Sequence, residues 1–571
     1  MIFWPKFMSE TSLSNSASNK IRNAGWVLVS VFSAITLYSF HSQQIGLASD
    51  VATYTLAGAQ FDKGKTENPH TLVSVEPTNI SQLRQTLITW WPRSYGSIPR
   101  TVQQAATSCG VYLNIGQTMR LIVVVGWVSA MILWGLFFWQ TTSATALPWL
   151  ILLLMCARYS HANGYLFDGG EFLYWAVFPA VLLVNLAALR RHVVSNLVKG
   201  KIKTAVIALT VLAGFCSPTL IFFKYSAGLS AVGFAVAWMW LSYRKQINPA
   251  ALFYWALGGG ISTAVILNAN WLPVGNPTQV DSPLQWTPLL WGLGAWLFAM
   301  TDLGTLVNKF TVDILPAMGN HQDGSEGWLF LPLVFLVLLI IRRENGTRTA
   351  KDINPLAKTV VITHLFIFTF ILVGLMIRGS AIHLDTRFLR PAAIAMMPWI
   401  IPCLVSRSRT GVTSSIRLSA VALTVVLVIV PCLYGTLSLM DKTLRMETSG
   451  PQGLRHSLLE STDDVPGFFD ELLTLSTDQD VIYITDPALG IPLVSRRLFT
   501  EEHAHLRSQA ELSRREFHGR PQGRLLIPLP LGLQVDGRGE TICNSFKDIS
   551  HWTTHKLSSQ PTWVLYIGST E

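Results

Sequence analysis

Long apolar runs separated by short polar turns dominate the chain from residue 24 to residue 439. They cover residues 24–40, 121–139, 147–158, 172–189, 204–223, 227–241, 250–267, 328–341, 359–377, 392–405 and 418–439. A helix that crosses a bilayer needs about 20 predominantly apolar residues. The pattern therefore predicts about eleven spans, the shortest at 147–158. Residues 288–300 are apolar but too few for a span, and are expected to form an interfacial or re-entrant helix. Residues 1–23 form a polar tail, and a long mixed loop, 41–120, separates the first two runs. From residue 440 the pattern becomes that of a water-soluble fold. Residues 481–485 and 563–567 carry strand signals, with 524–527 as a third, and 466–473 read as the start of a helix. The predicted architecture is an all-α polytopic membrane domain (24–439) followed by a small extracytoplasmic α/β domain (440–571).

Composition supports this division. Of 571 residues 50% are hydrophobic and only 13% charged, against about 25% charged in a typical soluble protein. The formal charge of +10 comes from basic residues in alternate short loops, among them Arg190-Arg191-His192, Arg342-Arg343 and Arg407 with Arg409. The positive-inside rule places those loops, and the N-terminus, in the cytoplasm. Topology accounts for the charge, and no nucleic-acid partner is implied. An odd number of spans puts the C-terminal domain outside. The first apolar run lacks a small-x-small cleavage site and reads as an uncleaved helix. The six cysteines show no CxxC spacing and no His/Cys cluster, so no cysteine zinc site is supported. Cys109 and Cys543 both fall on outward segments, without a spacing that argues for a bridge.

Asp50, Asp168, Glu171, Lys224, Asp385 and Arg387 all fall at outer ends of spans or in short outer turns. Charges at such positions need partners or a water-filled cavity, which makes them candidates for function. Each has a plainer reading beside it. Asp168 and Glu171 would share the first turn of a helix, where the dipole favours negative charge. Lys224 and Arg387 suit a phosphate, as point charge and as bidentate fork; snorkelling to lipid headgroups is an equal reading for Lys224 and a lesser one for Arg387. Trp90-Trp91 fit an interfacial aromatic belt, with sugar stacking as the second reading. His364, inside a span, is expected to be a packed and hydrogen-bonded residue, and Gly258-Gly-Gly260 to serve helix packing.

These pieces, in this order, resemble the GT-C superfamily of polytopic glycosyltransferases, in particular bacterial relatives of protein mannosyltransferases and aminoarabinose transferases. Ser49-Asp50 with Tyr54 and Ala57 resembles that superfamily's acidic first-loop motif. Trp90-Trp91-Pro92-Arg93-Ser94-Tyr95-Gly96 is similar to its aromatic-proline turn, with Arg93 where a second Pro is usual and Ser94 where Gly is usual. Gly170-Glu171-Phe-Leu-Tyr174, Lys224-Tyr225-Ser-Ala-Gly228-Leu and Thr386-Arg387-Phe-Leu-Arg390-Pro391 resemble three further motifs, and Ile482-Tyr483-Ile-Thr-Asp486-Pro487 an outer-domain strand and turn. The resemblance implies a multi-pass enzyme of the bacterial inner membrane. It would transfer a sugar from a polyprenyl-phosphate-linked donor to a lipid, glycan or protein acceptor at the outer face. It implies Asp50 as base, Glu171 as orienter or second acid, and Arg387 and Lys224 as phosphate holders, with Asp168, Tyr54, Trp91 and Tyr95 lining the substrate. No second acid stands beside Asp50, so a divalent metal is unsupported and no cofactor is expected. The alternative is a transporter or flippase for a lipid-linked or anionic solute. That class would show inverted repeats and mid-membrane charges, neither of which the chain displays.

Overall fold

A computed structural model describes residues 15–42, 45–47, 52, 55, 71–72, 78–80, 94–167, 169–198, 204–268, 287–301, 303, 335, 354–378, 386–405, 422–444, 454–455, 465–500, 504 and 507–569. The chain divides into two compact units. One comprises Met1–Ser39, Val125–Asn163 and Gly170–Leu444; the other comprises Phe40–Val124, Gly164–Gly169 and Arg445–Glu571.

The first unit is helical. Among the described residues of the chain, eight helices are long and apolar enough to cross a membrane: Asn19–His41, Ile115–Thr141, Phe172–Val194, Thr204–Phe222, Tyr225–Tyr243, Pro249–Asn268, Pro355–Ile377 and Ala422–Asp441. This is a multi-pass membrane protein. Leu147–Cys156 is an apolar helix of 10 residues, and Thr287–Thr301, at 15 residues, is likewise short of a span. The predicted span at 328–341 lies outside the described residues except Phe335. The predicted span at 392–405 is broken into two helices, Arg390–Ile394 and Met397–Val405. Pro398 cannot donate to the Ile394 carbonyl and its ring crowds that carbonyl, which accounts for the break. Proline also explains the wide turn at Val425–Ile429, where the Val430 N–H reaches back five residues to the Val425 carbonyl. Pro431, just beyond, cannot complete the ordinary ladder.

Small residues and one polar hub bring the helices together. A Cβ added at Gly214 would collide with the Trp255 carbonyl oxygen, and one at Gly258 with that of Val211. The Thr204–Thr219 and Pro249–Asn268 helices thus meet backbone to backbone, as small residues permit in membranes. Asn185, fully buried on the Gly169–Val198 helix, accepts from the indole N–H groups of Trp238 (2.9 Å) and Trp255 (3.0 Å) and donates to the Ser217 hydroxyl at 3.2 Å. His364 packs among Phe234, Phe178 and Phe368, with ring centroids 4.6, 5.2 and 5.8 Å away. Contrary to expectation, its Nε2 has no hydrogen-bond partner among the described residues.

The second unit contains the sheets. Its strands are β1 (Ile45–Leu47), β2 (Thr71–Leu72), β3 (Thr78–Asn79), β4 (Leu166–Phe167), β5 (Leu454–Arg455), β6 (Val481–Ile484), β7 (Arg497–Thr500), β8 (Phe517–His518), β9 (Leu525–Pro530), β10 (His551–Lys556) and β11 (Trp563–Ser569). Six of them form one mixed sheet in the order β10-β11-β9-β6-β7-β2. The β6 strand is buried along its whole length, the pattern of a parallel strand covered on both faces. β10 is exposed at nearly every position and carries two His and a Lys, which suits an edge strand. The sheet's other edge, β2, comes from the loop after the first apolar run, and β3 from the same loop pairs in parallel with β8. Tyr483, Phe499, Phe517 and Phe546 pack edge to face in the core. Asp480 closes the start of β6: it takes the Arg524 guanidinium at 2.9 Å and the backbone N–H groups of Thr477 and Arg524 at 2.8 and 2.6 Å. Cys109 and Cys543 are both free thiols, the first exposed and the second buried.

Candidate functional site

The site forms where two breaks in helical structure face each other within the helical unit. Near the end of the Thr204–Thr219 helix, Pro218 removes a donor and the backbone tightens into a 3-10 turn, Leu220–Phe222. A second such turn, Tyr225–Gly228, follows, and Lys224 occupies the joint between them in extended conformation. Its N–H still reaches the Leu220 carbonyl at 3.2 Å, and its carbonyl accepts from Ala227 at 2.9 Å. The second break is the 3-10 turn Thr386–Leu389, which leads into the Arg390–Ile394 helix with Pro391 near its start. Both of these elements pack against the Thr287–Thr301 helix.

The two breaks share one aromatic ring. The Lys224 ammonium lies 4.0 Å from the centroid of the Phe388 ring, and the Arg387 guanidinium carbon lies 5.6 Å from the same centroid. One helical turn beyond, Arg390 lies 4.6 Å over the Tyr159 ring, and the Tyr159 hydroxyl donates to the Met300 carbonyl at 3.2 Å. Attraction to the negative ring face lowers the cost of holding a cation away from water. Lys224 is only 3% exposed and Arg390 only 7%. Burial of that degree rules out snorkelling to headgroups as the reason for Lys224, because a snorkelling ammonium sits in water. Arg387 is half-buried. A compact ammonium and a planar fork gathered at one place match the oxygens of a phosphate or carboxylate.

The other expected site residues fall elsewhere in the description. Asp50, Tyr54, Trp91 and Asp168, with Asp385, lie outside the described residues. Tyr95 lies in the Ser94–Ser108 helix and Glu171 in the first turn of the Gly169–Val198 helix, but their side chains are outside the description. Among the described residues no three His, Cys, Asp or Glu side chains gather as a metal site. Three contributors went unassigned at the level of sequence: Phe388, Arg390 and Tyr159. Arg390 was visible as the second basic residue of the Thr386–Pro391 motif, three positions after Arg387. Phe388 and Tyr159 carry no signal until the fold brings them against cations.

No protein-family model matches the chain, and no curated protein matches it. Among solved structures, ArnT from Cupriavidus metallidurans in the apo state aligns with a TM-score of 0.50 at 11% identity, over 96% of this chain and 98% of that one. The chain shares the fold of that structure. ArnT bound to undecaprenyl phosphate aligns with a TM-score of 0.48 at 11% identity, covering 95% of this chain and 98% of that one. The archaeal oligosaccharyltransferase AglB from Archaeoglobus fulgidus, in complex with an inhibitory peptide and a dolichol-phosphate, aligns with a TM-score of 0.47 at 10% identity, covering 96% of this chain and 74% of that one. The apo ArnT alignment spans nearly the whole chain.

Proposed function

We propose that this protein is a membrane glycosyltransferase that moves a sugar from a polyprenyl-phosphate-linked donor to an acceptor at the outer face of the membrane. The observation that carries the reading is the convergence of Lys224 and Arg387 on Phe388 within a GT-C fold. In the proposed reaction, an acceptor hydroxyl or amine attacks the anomeric carbon of the donor. The bond from that carbon to the phosphate oxygen breaks, and the phosphate leaves with the electron pair. Lys224 and Arg387 hold the charge that develops there, an interaction strengthened by low local dielectric. The acceptor's proton passes to the Asp50 carboxylate, and Glu171 orients the acceptor. Arg390 holds the segment that carries Arg387 in place through its stack on Tyr159. Tyr54, Trp91, Tyr95 and Asp168 are assigned to the substrate walls. The protein is placed in the bacterial inner membrane with its N-terminus in the cytoplasm and residues 440–571 outside, as the basic loops support.

The test is sugar transfer by purified protein from a labelled polyprenyl-phosphate donor, wild type against Asp50→Asn, with donor-lipid binding measured in parallel. Lost turnover with retained binding supports Asp50 as base. Full turnover by Asp50→Asn would remove that assignment, and binding of donor without turnover for any acceptor would replace transfer by transport.

A further inference from the structure

The Leu147–Cys156 helix ends against the helix Val430–Leu444, and two cysteines meet there. Cys156 has Cys432 and Thr436 of that helix as side-chain neighbours, and the Thr436 hydroxyl donates to the Cys432 carbonyl at 2.7 Å. Both cysteines are free thiols. An independent feature brings the two backbones close: a Cβ at Gly435 would collide with the Cys156 carbonyl oxygen. Close backbone approach is what a disulfide requires, since its bridged Cα atoms lie within about 7 Å. Two residues past Cys156, Arg158 lies over the Tyr434 ring at 5.9 Å, so the same two elements are joined a second time. The next residue is Tyr159, which holds Arg390.

We propose that Cys156 and Cys432 are a dithiol modification site that closes to a disulfide when it meets a small, membrane-soluble disulfide oxidant. Cys432 is the entry point: it is half-buried beside Leu433 and Leu437, which are 57% and 63% exposed, whereas Cys156 is only 8% exposed. The balance is that of thiol–disulfide exchange. The Cys432 sulfur attacks one sulfur of the oxidant, whose S–S bond breaks, and the first oxidant half leaves as a thiol carrying the proton. Cys156 then attacks the mixed disulfide at Cys432. The second half leaves as a thiol with the second proton, and the Cys156–Cys432 bond remains. The disulfide fixes the helix end from which Arg158 and Tyr159 project, and so braces the cation cluster from behind. Oxidation at this place would stiffen the site without touching a residue assigned to it. The inference stands independently of the proposed glycosyl transfer.

The experiment uses the purified full chain. It is treated with dithiodipyridine, denatured in excess maleimide and mapped by mass spectrometry under non-reducing conditions. The expected result is loss of maleimide from Cys156 and Cys432 together, a cross-linked peptide joining them, and return of both thiols on reduction. The Cys156→Ser variant should retain thiopyridine on Cys432 as a stable mixed disulfide, because the resolving thiol is gone. Two results would overturn the proposal: maleimide on both cysteines after oxidation, or a separate thiopyridine on each in the wild-type protein.

Discussion

Replacing Asn185 by leucine tests whether one polar side chain sets the packing of four helices. Asn185 is fully buried, and its amide oxygen accepts from two indoles on two other helices, Trp238 at 2.9 Å and Trp255 at 3.0 Å. Its amide nitrogen donates to the Val181 carbonyl at 2.9 Å and to the Ser217 hydroxyl at 3.2 Å. Leucine has the same number of side-chain heavy atoms with the same branching and leaves no cavity, so the cost of Asn185→Leu lies chiefly in the orphaned donors. Ser217 keeps its own bond to the Ala213 carbonyl at 2.8 Å, which leaves the two indole N–H groups as the principal loss. A buried donor left unsatisfied costs about 1–3 kcal/mol in a soluble core. Side-chain hydrogen bonds between membrane helices average about 0.6 kcal/mol and reach about 1.7. The variant should therefore be destabilised by about 2 kcal/mol, read as an earlier midpoint in a denaturing-detergent titration followed by tryptophan fluorescence. Changing Trp238 and Trp255 to Phe on the Asn185→Leu background removes the stranded donors, and should recover about 1 kcal/mol relative to the same two changes made in wild type. A variant within about 0.5 kcal/mol of wild type, the usual scatter of additive effects, or a cycle with no coupling, would refute the hub.

Three further perturbations probe other parts of the molecule. Lys224→Ala and Arg387→Ala should each weaken binding of undecaprenyl phosphate about tenfold or more, since a hydrogen bond to a charged group contributes about 1.5–3 kcal/mol; isothermal titration in detergent checks this, and unchanged affinity in both would remove the anion site. Gly258→Leu should prevent assembly of the Thr204–Thr219 and Pro249–Asn268 pair, because the added side chain runs into the Val211 carbonyl, and size-exclusion profiles would show aggregation. Glu471 should contribute a pH-dependent clamp: burial pushes its carboxyl up, but bonds from Ser559 and Ser558 outweigh this and hold it down at about 2. Because its folded-state value is depressed, that stability is present above the ordinary value of 4.5 and is lost as pH falls toward about 2. Glu471→Gln should flatten the acid limb of thermal melting in that window, by a modest amount because the group is largely exposed to screening solvent.

What could be read from the sequence followed the length of its signals. Ile115–Thr141 and Pro355–Ile377 are long uninterrupted apolar runs, and both are single helices. Val481–Ile484 and Trp563–Ser569 announced themselves by β-branched and aromatic residues, and both lie in the central sheet. Thr71–Leu72 and Thr78–Asn79 could not be found in this way. A strand of two residues has no period, and only its partners, β7 and β8, define it. The break after Ile394 was signalled by Pro398 yet hidden by hydropathy, because an apolar run does not reveal whether its helix is continuous. Asn185 was invisible for a different reason. One amide inside an apolar run carries no pattern, and its importance comes from two indoles 53 and 70 positions away.

The cation cluster shows how burial decides between readings that composition leaves level. A basic residue near the end of a span serves lipid headgroups if its charge remains in water, and serves a site if the fold withdraws it. Lys224 is withdrawn almost completely, and the ring it meets belongs to a segment more than 160 positions away. That segment presents its two arginines differently. Arg390 is buried on Tyr159, whose hydroxyl is fixed to the Met300 carbonyl; it is suited to hold the turn. Arg387 is half-buried, less withdrawn from the surface than Arg390. For Lys224 and Arg390 the aromatic rings offset part of the hydration lost on burial, about 2 kcal/mol per desolvated cation–π contact. In the proposed reaction Lys224 and Arg387 would meet the leaving phosphate as its charge grows.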